Sequence, residues 1–98
     1  MIIDLEKRKV LKDGTEIPLT TTEFEILYLL ASHPERVYTY QQIYEAIWNE
    51  EYVCEKGSIM SYIQRLRKKI ESDHRHPKYI ENIRGIGYKF VGQQISRQ

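Results

Sequence analysis

The sequence predicts one α+β domain built from an N-terminal antiparallel sheet, three helices and a C-terminal β-hairpin. Three observations carry this. Two capping boxes, Thr20-x-x-Glu23 and Thr39-x-x-Gln42, each open a helical pattern. A third segment, from about Glu55 to Glu71, places Ile59, Ile63, Leu66 and Ile70 at steps of 4, 3 and 4, one stripe on a helix. On either side, β-branched and aromatic runs flank Asp13-Gly14 and Arg84-Gly85-Ile86-Gly87, the composition of hairpin turns. With 98 residues, a single domain is expected over 1–98, with strands in 1–19, helices over about 20–72 and the hairpin over about 79–91.

The first strands come from Ile2, Ile3 and Leu5, then Val10-Leu11, then Glu16-Ile17-Pro18-Leu19. Pro18 ends its strand or confines it to an edge. Helix one starts at Thr20, aligns Phe24, Leu27, Leu30 and Ala31, and stops before Pro34. Helix two follows Thr39 and carries Ile43, Ala46 and Ile47. Asn49 to Cys54 is polar and acidic and reads as a loop. On helix three, Gly57, Ser61, Gln64, Arg65 and Lys68 lie opposite the apolar stripe. Ser58, Tyr62 and Lys69 flank one side of it, Met60 and Arg67 the other. The tail from Gly92 to Gln98 is expected to fray.

Composition narrows the function. The chain is 41% hydrophobic and 30% charged, typical of a globular domain. No apolar run approaches the roughly 20 residues a transmembrane helix needs, and no secretory signal opens the chain. The lone Cys54 makes no internal disulfide, which favours a reducing cytoplasm. The net charge of +1 hides an asymmetry. Residues 1–54 hold five basic and ten acidic side chains, whereas residues 55–98 hold ten basic and four acidic. A basic half is the electrostatic footprint of a surface facing polyanions, although two solvated ends of one domain give the same count.

Two helices, a loop, a third helix with a basic outer face and a hairpin bearing an arginine describe a winged helix-turn-helix. The major groove of DNA admits one α-helix, and arginine binds guanine O6 and N7 bidentately. A narrow, A·T-rich minor groove attracts an arginine on a thin hairpin. The segments LTTTEFEILYLL, IWNEEY, YIQRLRKKI and YIENIRGIGYKF resemble the effector domain of OmpR/PhoB-type bacterial response regulators, from about Leu19 to Phe90.

That resemblance implies promoter DNA as partner, bound by head-to-tail dimers on direct repeats, and an N-terminal receiver domain phosphorylated on aspartate. No receiver is expected within this chain, which reads as an isolated effector domain or a stand-alone regulator. The family's effector opens with a four-stranded sheet, of which three strands are legible here. By the resemblance, Ser61, Gln64, Arg65 and Arg84 are groove or base contacts, and Trp48, Ser58, Tyr62, Arg67 and Tyr88 are backbone contacts; the basic face of helix three adds Lys68 to the first set and Lys69 to the second. Glu50, Glu51 and Tyr52 match a loop that contacts RNA polymerase in activators. Where many relatives carry other residues, this chain has Gly57, Ser58, Ile59, Met60, Ser61 and Tyr62, so the target sequence does not transfer.

Each assignment has a structural alternative. Trp48 and Tyr62 also suit the core margin. Arg67 lies near enough to the stripe for an internal ion pair with an acidic residue of the first half. The loop at Glu50 is equally consistent with simple solvation. An enzyme is not expected: Asp73, His74 and His76 lack a spaced third ligand set, Cys54 lacks a paired base, and no helix follows the RGIGY glycines. No cofactor is implied. The rival function is a winged-helix protein-interaction module without DNA contacts, and the carboxylate-poor face of helix three argues against it.

Overall fold

A computed structural model describes residues 2–4, 6–49, 56–73, 75–91 and 96–97. Strands β1 (Ile2–Asp4), β2 (Lys9–Lys12) and β3 (Thr15–Ile17) pair antiparallel, with Ile3 opposite Val10 and Val10 opposite Ile17. Between β2 and β3, Asp13 and Gly14 both take left-handed backbone, φ 52° and 79°, as a tight two-residue hairpin requires. β3 ends at Ile17 and lies on the sheet edge, where Pro18 removes no ladder donor.

Of the tail expected to fray, residues 92–95 and 98 lie outside the described residues, and at 96–97 the expectation is corrected. Ser96–Arg97 forms a strand, β7, parallel to β1, with Ile2 opposite Ser96, so the sheet runs β3-β2-β1-β7. Two polar residues carry no alternation to read, because backbone hydrogen bonds alone define the strand.

Helix α1 (Thr21–Ser32) begins as its capping box dictates. The Thr20 hydroxyl accepts from the Glu23 N–H at 3.2 Å, and the Glu23 carboxylate accepts from the Thr20 N–H at 2.9 Å. Thr39 and Gln42 repeat this at the start of α2 (Tyr40–Trp48), at 3.0 and 2.9 Å. Each such cap contributes about 1 kcal/mol. Ile43 is the fully buried residue of α2, Ile47 is half-buried, and Ala46 is exposed. A nine-residue helix buries a narrow strip, and Ile43 and Ile47 one turn apart define it.

Helix α3 (Lys56–Ile70) buries Ile59, Ile63, Leu66 and Ile70 completely, against Phe24, Ile26, Leu27 and Leu30 of α1 and Ile43 of α2. Each such side chain contributes roughly 1.5–3 kcal/mol of apolar burial. The hairpin forms from β5 (Ile80–Ile83) and β6 (Gly87–Phe90), with Ile80 and Phe90 sealing the core. A two-residue strand unread in the sequence, β4 (Tyr38–Thr39), pairs with the other edge of β6 and gives the order β4-β6-β5.

The two hairpin glycines differ in purpose. Gly85 has φ 76°, as a tight turn needs, but Gly87 does not lie in the left-handed region. A Cβ at Gly87 would overlap the Tyr38 carbonyl oxygen, so its role is close approach of β6 to β4.

Candidate nucleic-acid interface

Helix α3 and the hairpin tip each expose polar side chains. With the apolar stripe turned inward, Gly57, Ser61, Gln64, Arg65 and Lys68 are all exposed, as the periodicity predicts, and the set contains no carboxylate. Arg84 is exposed in the turn between β5 and β6. Beside it stands Ile86, 50% exposed, a residue the sequence reading passed over. An apolar side chain in a turn bounded by glycines was the available signal. Met60, 46% exposed on the outer side of α3, was likewise not assigned a role.

Behind that surface the structure draws several expected contact residues into internal bonds. Tyr88 is 2% exposed, its ring meeting Tyr40 edge-on at 5.7 Å. The ring packs within the fold, between Tyr40 and Arg67. Arg67 is half-buried: it donates from Nη2 to the Ile80 carbonyl at 2.9 Å and lies over the Tyr88 ring at 5.4 Å. Among the described residues its hydrogen-bond partner is the backbone carbonyl of Ile80 on β5. Burial lowers the Arg67 pKa from its ordinary value, opposed by Tyr88 and Glu71. Burial also raises Tyr88, with Tyr40 adding to the rise and Arg67 opposing it.

Lys69 bonds Glu23 of α1 at 2.6 Å, so the residue expected at a phosphate is a strut between helices. Burial alone would raise the Glu23 pKa, yet Lys69 and the Thr20 donors outweigh it and the carboxyl titrates below its ordinary value.

Glu71, read in the sequence only as the end of the basic face, is a buried anchor. Its carboxylate accepts from the N–H groups of Lys78 at 2.7 Å, Tyr79 at 2.9 Å and Ile80 at 3.0 Å. It therefore fixes the entry to β5 against the end of α3.

Trp48 and Tyr62 are half-buried at the α2–α3 junction, ring centroids 5.3 Å apart, and Trp48 stacks on Tyr44 at 5.0 Å. Ser58 is half-buried in the first turns of α3. Glu50, Glu51, Tyr52, Cys54 and His74 lie outside the described residues. Asp73 accepts from the Arg75 N–H at 3.0 Å and pairs with His76 at 2.9 Å, the pattern of a polar turn. A recess of about 580 Å³, lined by Arg8, Tyr28, His33 and Ile47 among others, holds none of the expected site residues. The arrangement is a convex, donor-rich surface, suited to a groove of a polyanion. Among the described residues no helix is long and apolar enough to cross a membrane.

Comparison with known proteins agrees with this architecture. Residues 14–90 match the family described as "Transcriptional regulatory protein, C terminal". The transcriptional regulatory protein YcbL of Bacillus subtilis is 46% identical over 89 residues, covering 91% of this chain and 39% of that protein. The DNA-binding response regulator MtrA of Mycolicibacterium smegmatis is 36% identical, covering 89% of this chain and 38% of its own. The chain thus spans about two fifths of the length of these relatives.

Among solved structures, the DNA-binding domain of Klebsiella pneumoniae RstA, crystallised with the RstA box, superposes with a TM-score of 0.85 at 29% identity, over 91% of this chain and 88% of that one. DrrB, a Thermotoga maritima OmpR/PhoB homolog, superposes with a TM-score of 0.78 at 37% identity, over 86% and 38%. The fold, the matched span and these relatives together place the chain in the C-terminal domain family of transcriptional regulatory proteins, the winged-helix effector domains of OmpR/PhoB-type response regulators.

Proposed function

We propose that this domain binds double-stranded DNA sequence-specifically in the regulation of transcription, with α3 in the major groove and the β5–β6 hairpin at the adjacent minor groove. The observation that carries the reading is the exposed set Ser61, Gln64, Arg65 and Lys68, uninterrupted by a carboxylate and backed by a fully buried stripe. Arg65, Gln64 and Ser61 supply the donors and acceptors that read base edges, and Lys68 supplies charge. Arg84 serves the minor groove. Ser58 and Trp48 are assigned backbone contacts on this reading, whereas Arg67, Lys69 and Tyr88 also hold the frame. The crystallised complex of the RstA DNA-binding domain with the RstA box supports DNA binding for a fold this similar.

The wider reading follows the family: a phosphorylated receiver domain as the regulatory partner, direct repeats bound head to tail, and RNA polymerase as a contact of the loop holding Glu50, Glu51 and Tyr52. Selection of bound duplexes from a random pool tests the core of it. A single enriched sequence is expected, with Arg65→Ala costing about 1–3 kcal/mol of affinity for it. A pool with no enrichment, or a folded Arg65→Ala that binds like the parent, overturns the assignment.

A further inference from the structure

Arg65 is exposed, and an exposed arginine ordinarily samples many rotamers and loses that freedom on binding. Here its guanidinium carbon lies 4.5 Å from the centroid of the Tyr62 ring. The two residues are three apart on α3, a spacing that places side chains on one face. Tyr62 is itself held, since its half-buried ring packs 5.3 Å from Trp48. Trp48 in turn stacks on Tyr44 with planes 21° apart. A ladder therefore runs from Tyr44 and Trp48 on α2, through Tyr62, to the guanidinium on the outer face of α3.

We infer that Tyr62 is a positioning residue for Arg65, holding the guanidinium by its ring face, while Trp48 and Tyr44 hold Tyr62. This rests on the DNA-binding reading above and replaces the expectation of a hydroxyl contact to phosphate from Tyr62. A weakly hydrated, planar guanidinium stacks on an aromatic face without surrendering its outward donors. The ring thus selects an orientation before DNA arrives, and the donors stay available for a base edge. An exposed cation–π contact of this kind biases a conformer by roughly twofold to fivefold. Preorganisation of that size appears in affinity for the selected sequence, where Arg65 reads a base.

The test uses the whole chain and a duplex enriched from the random pool. Tyr62→Phe keeps the ring and removes the hydroxyl, and is expected to bind as the parent does. Tyr62→Leu is expected to lose roughly twofold to fivefold, and to lose nothing further when added to Arg65→Ala. Should Tyr62→Leu fail to fold, Tyr62→Met removes the ring with a longer side chain and takes its place. Side-chain relaxation of the Arg65 Nε–H, measured without DNA, is expected to report an ordered group in the parent and in Tyr62→Phe, and a mobile one without the ring.

Equal losses in Tyr62→Phe and Tyr62→Leu overturn the inference in favour of a hydroxyl contact. So does an undiminished loss from Tyr62→Leu in the Arg65→Ala background. An Arg65 Nε–H as mobile in the parent as in Tyr62→Leu overturns the ladder itself. An Arg65→Ala that binds like the parent instead overturns the DNA-binding reading of α3.

Discussion

Glu23 does two jobs with one carboxylate: it completes the cap of α1 by accepting from Thr20, and it bonds Lys69 of α3 at 2.6 Å. Burial acts to raise its pKa, but the cation and the Thr20 donors win, so the folded state holds the proton less tightly than the unfolded chain does. The sign follows from linkage: a depressed carboxyl contributes stability above its unfolded pKa and loses it as pH falls through the folded one. Glu23→Gln preserves the capping-box geometry and removes the charge. Thermal melts across pH are expected to show the parent losing stability on acidification more steeply than Glu23→Gln. Parallel curves would mean that the ion pair contributes nothing.

The cap was legible because Thr20 and Glu23 are neighbours in sequence. Lys69 was read as outward because a helical wheel shows one helix alone, and its partner arrives from another. The burial of Tyr88 was not legible for the related reason that a hairpin face is defined by what covers it, here Arg67 and Tyr40.

At the scale of elements, α3 was the most legible. Ile59, Ile63, Leu66 and Ile70 are fully buried, and the residues opposite them are exposed. β4 and β7 escaped notice because two-residue strands have no period, and their pairing is imposed by β6 and β1. The hairpin was legible as an element but not in the use of its second glycine, since closeness to Tyr38 is a tertiary fact.

The tip carries its own prediction. Arg84 follows β5 at an exposed turn, flanked by Gly85 and near Ile86. A minor groove distinguishes bases poorly but varies in width and potential with A·T content. Arg84→Ala is therefore expected to weaken binding to sites flanked by A·T-rich DNA more than to the same sites flanked by G·C-rich DNA. Titration of parent and variant against both duplexes checks it. Equal losses would make Arg84 a backbone clamp.

For the molecule as a whole, the acidic first half and the basic second half set its behaviour toward polyanions. Neutralising phosphates with Lys and Arg releases counterions, so affinity is expected to fall linearly on a log–log plot against salt. A slope near zero would detach the basic face from DNA. On the proposed head-to-tail reading, tandem direct repeats are expected to bind more tightly than a single site, because the second contact becomes effectively intramolecular. Band-shift titrations on direct, inverted and single sites separate the arrangements, and preference for the inverted repeat would refute this one.

Arg67 and Glu71 rivet the end of α3 to the base of the hairpin, one through the Ile80 carbonyl and the other through the amides of residues 78–80. If α3 reads the major groove and the hairpin the minor groove, as proposed, two elements joined this way act as the jaws of a caliper. Their angular offset is set by the protein, whereas that between a major groove and its neighbouring minor groove is set by the twist of the duplex. Under- or overwinding the DNA rotates one groove past the other, and the fixed jaws resist following, so the mismatch appears as lost affinity. The same binding site is thus expected to be held with different affinity in relaxed and in negatively supercoiled circles of equal length. Equal affinities in the two would mean that the wing swings independently of α3, and that superhelical state is invisible to this domain.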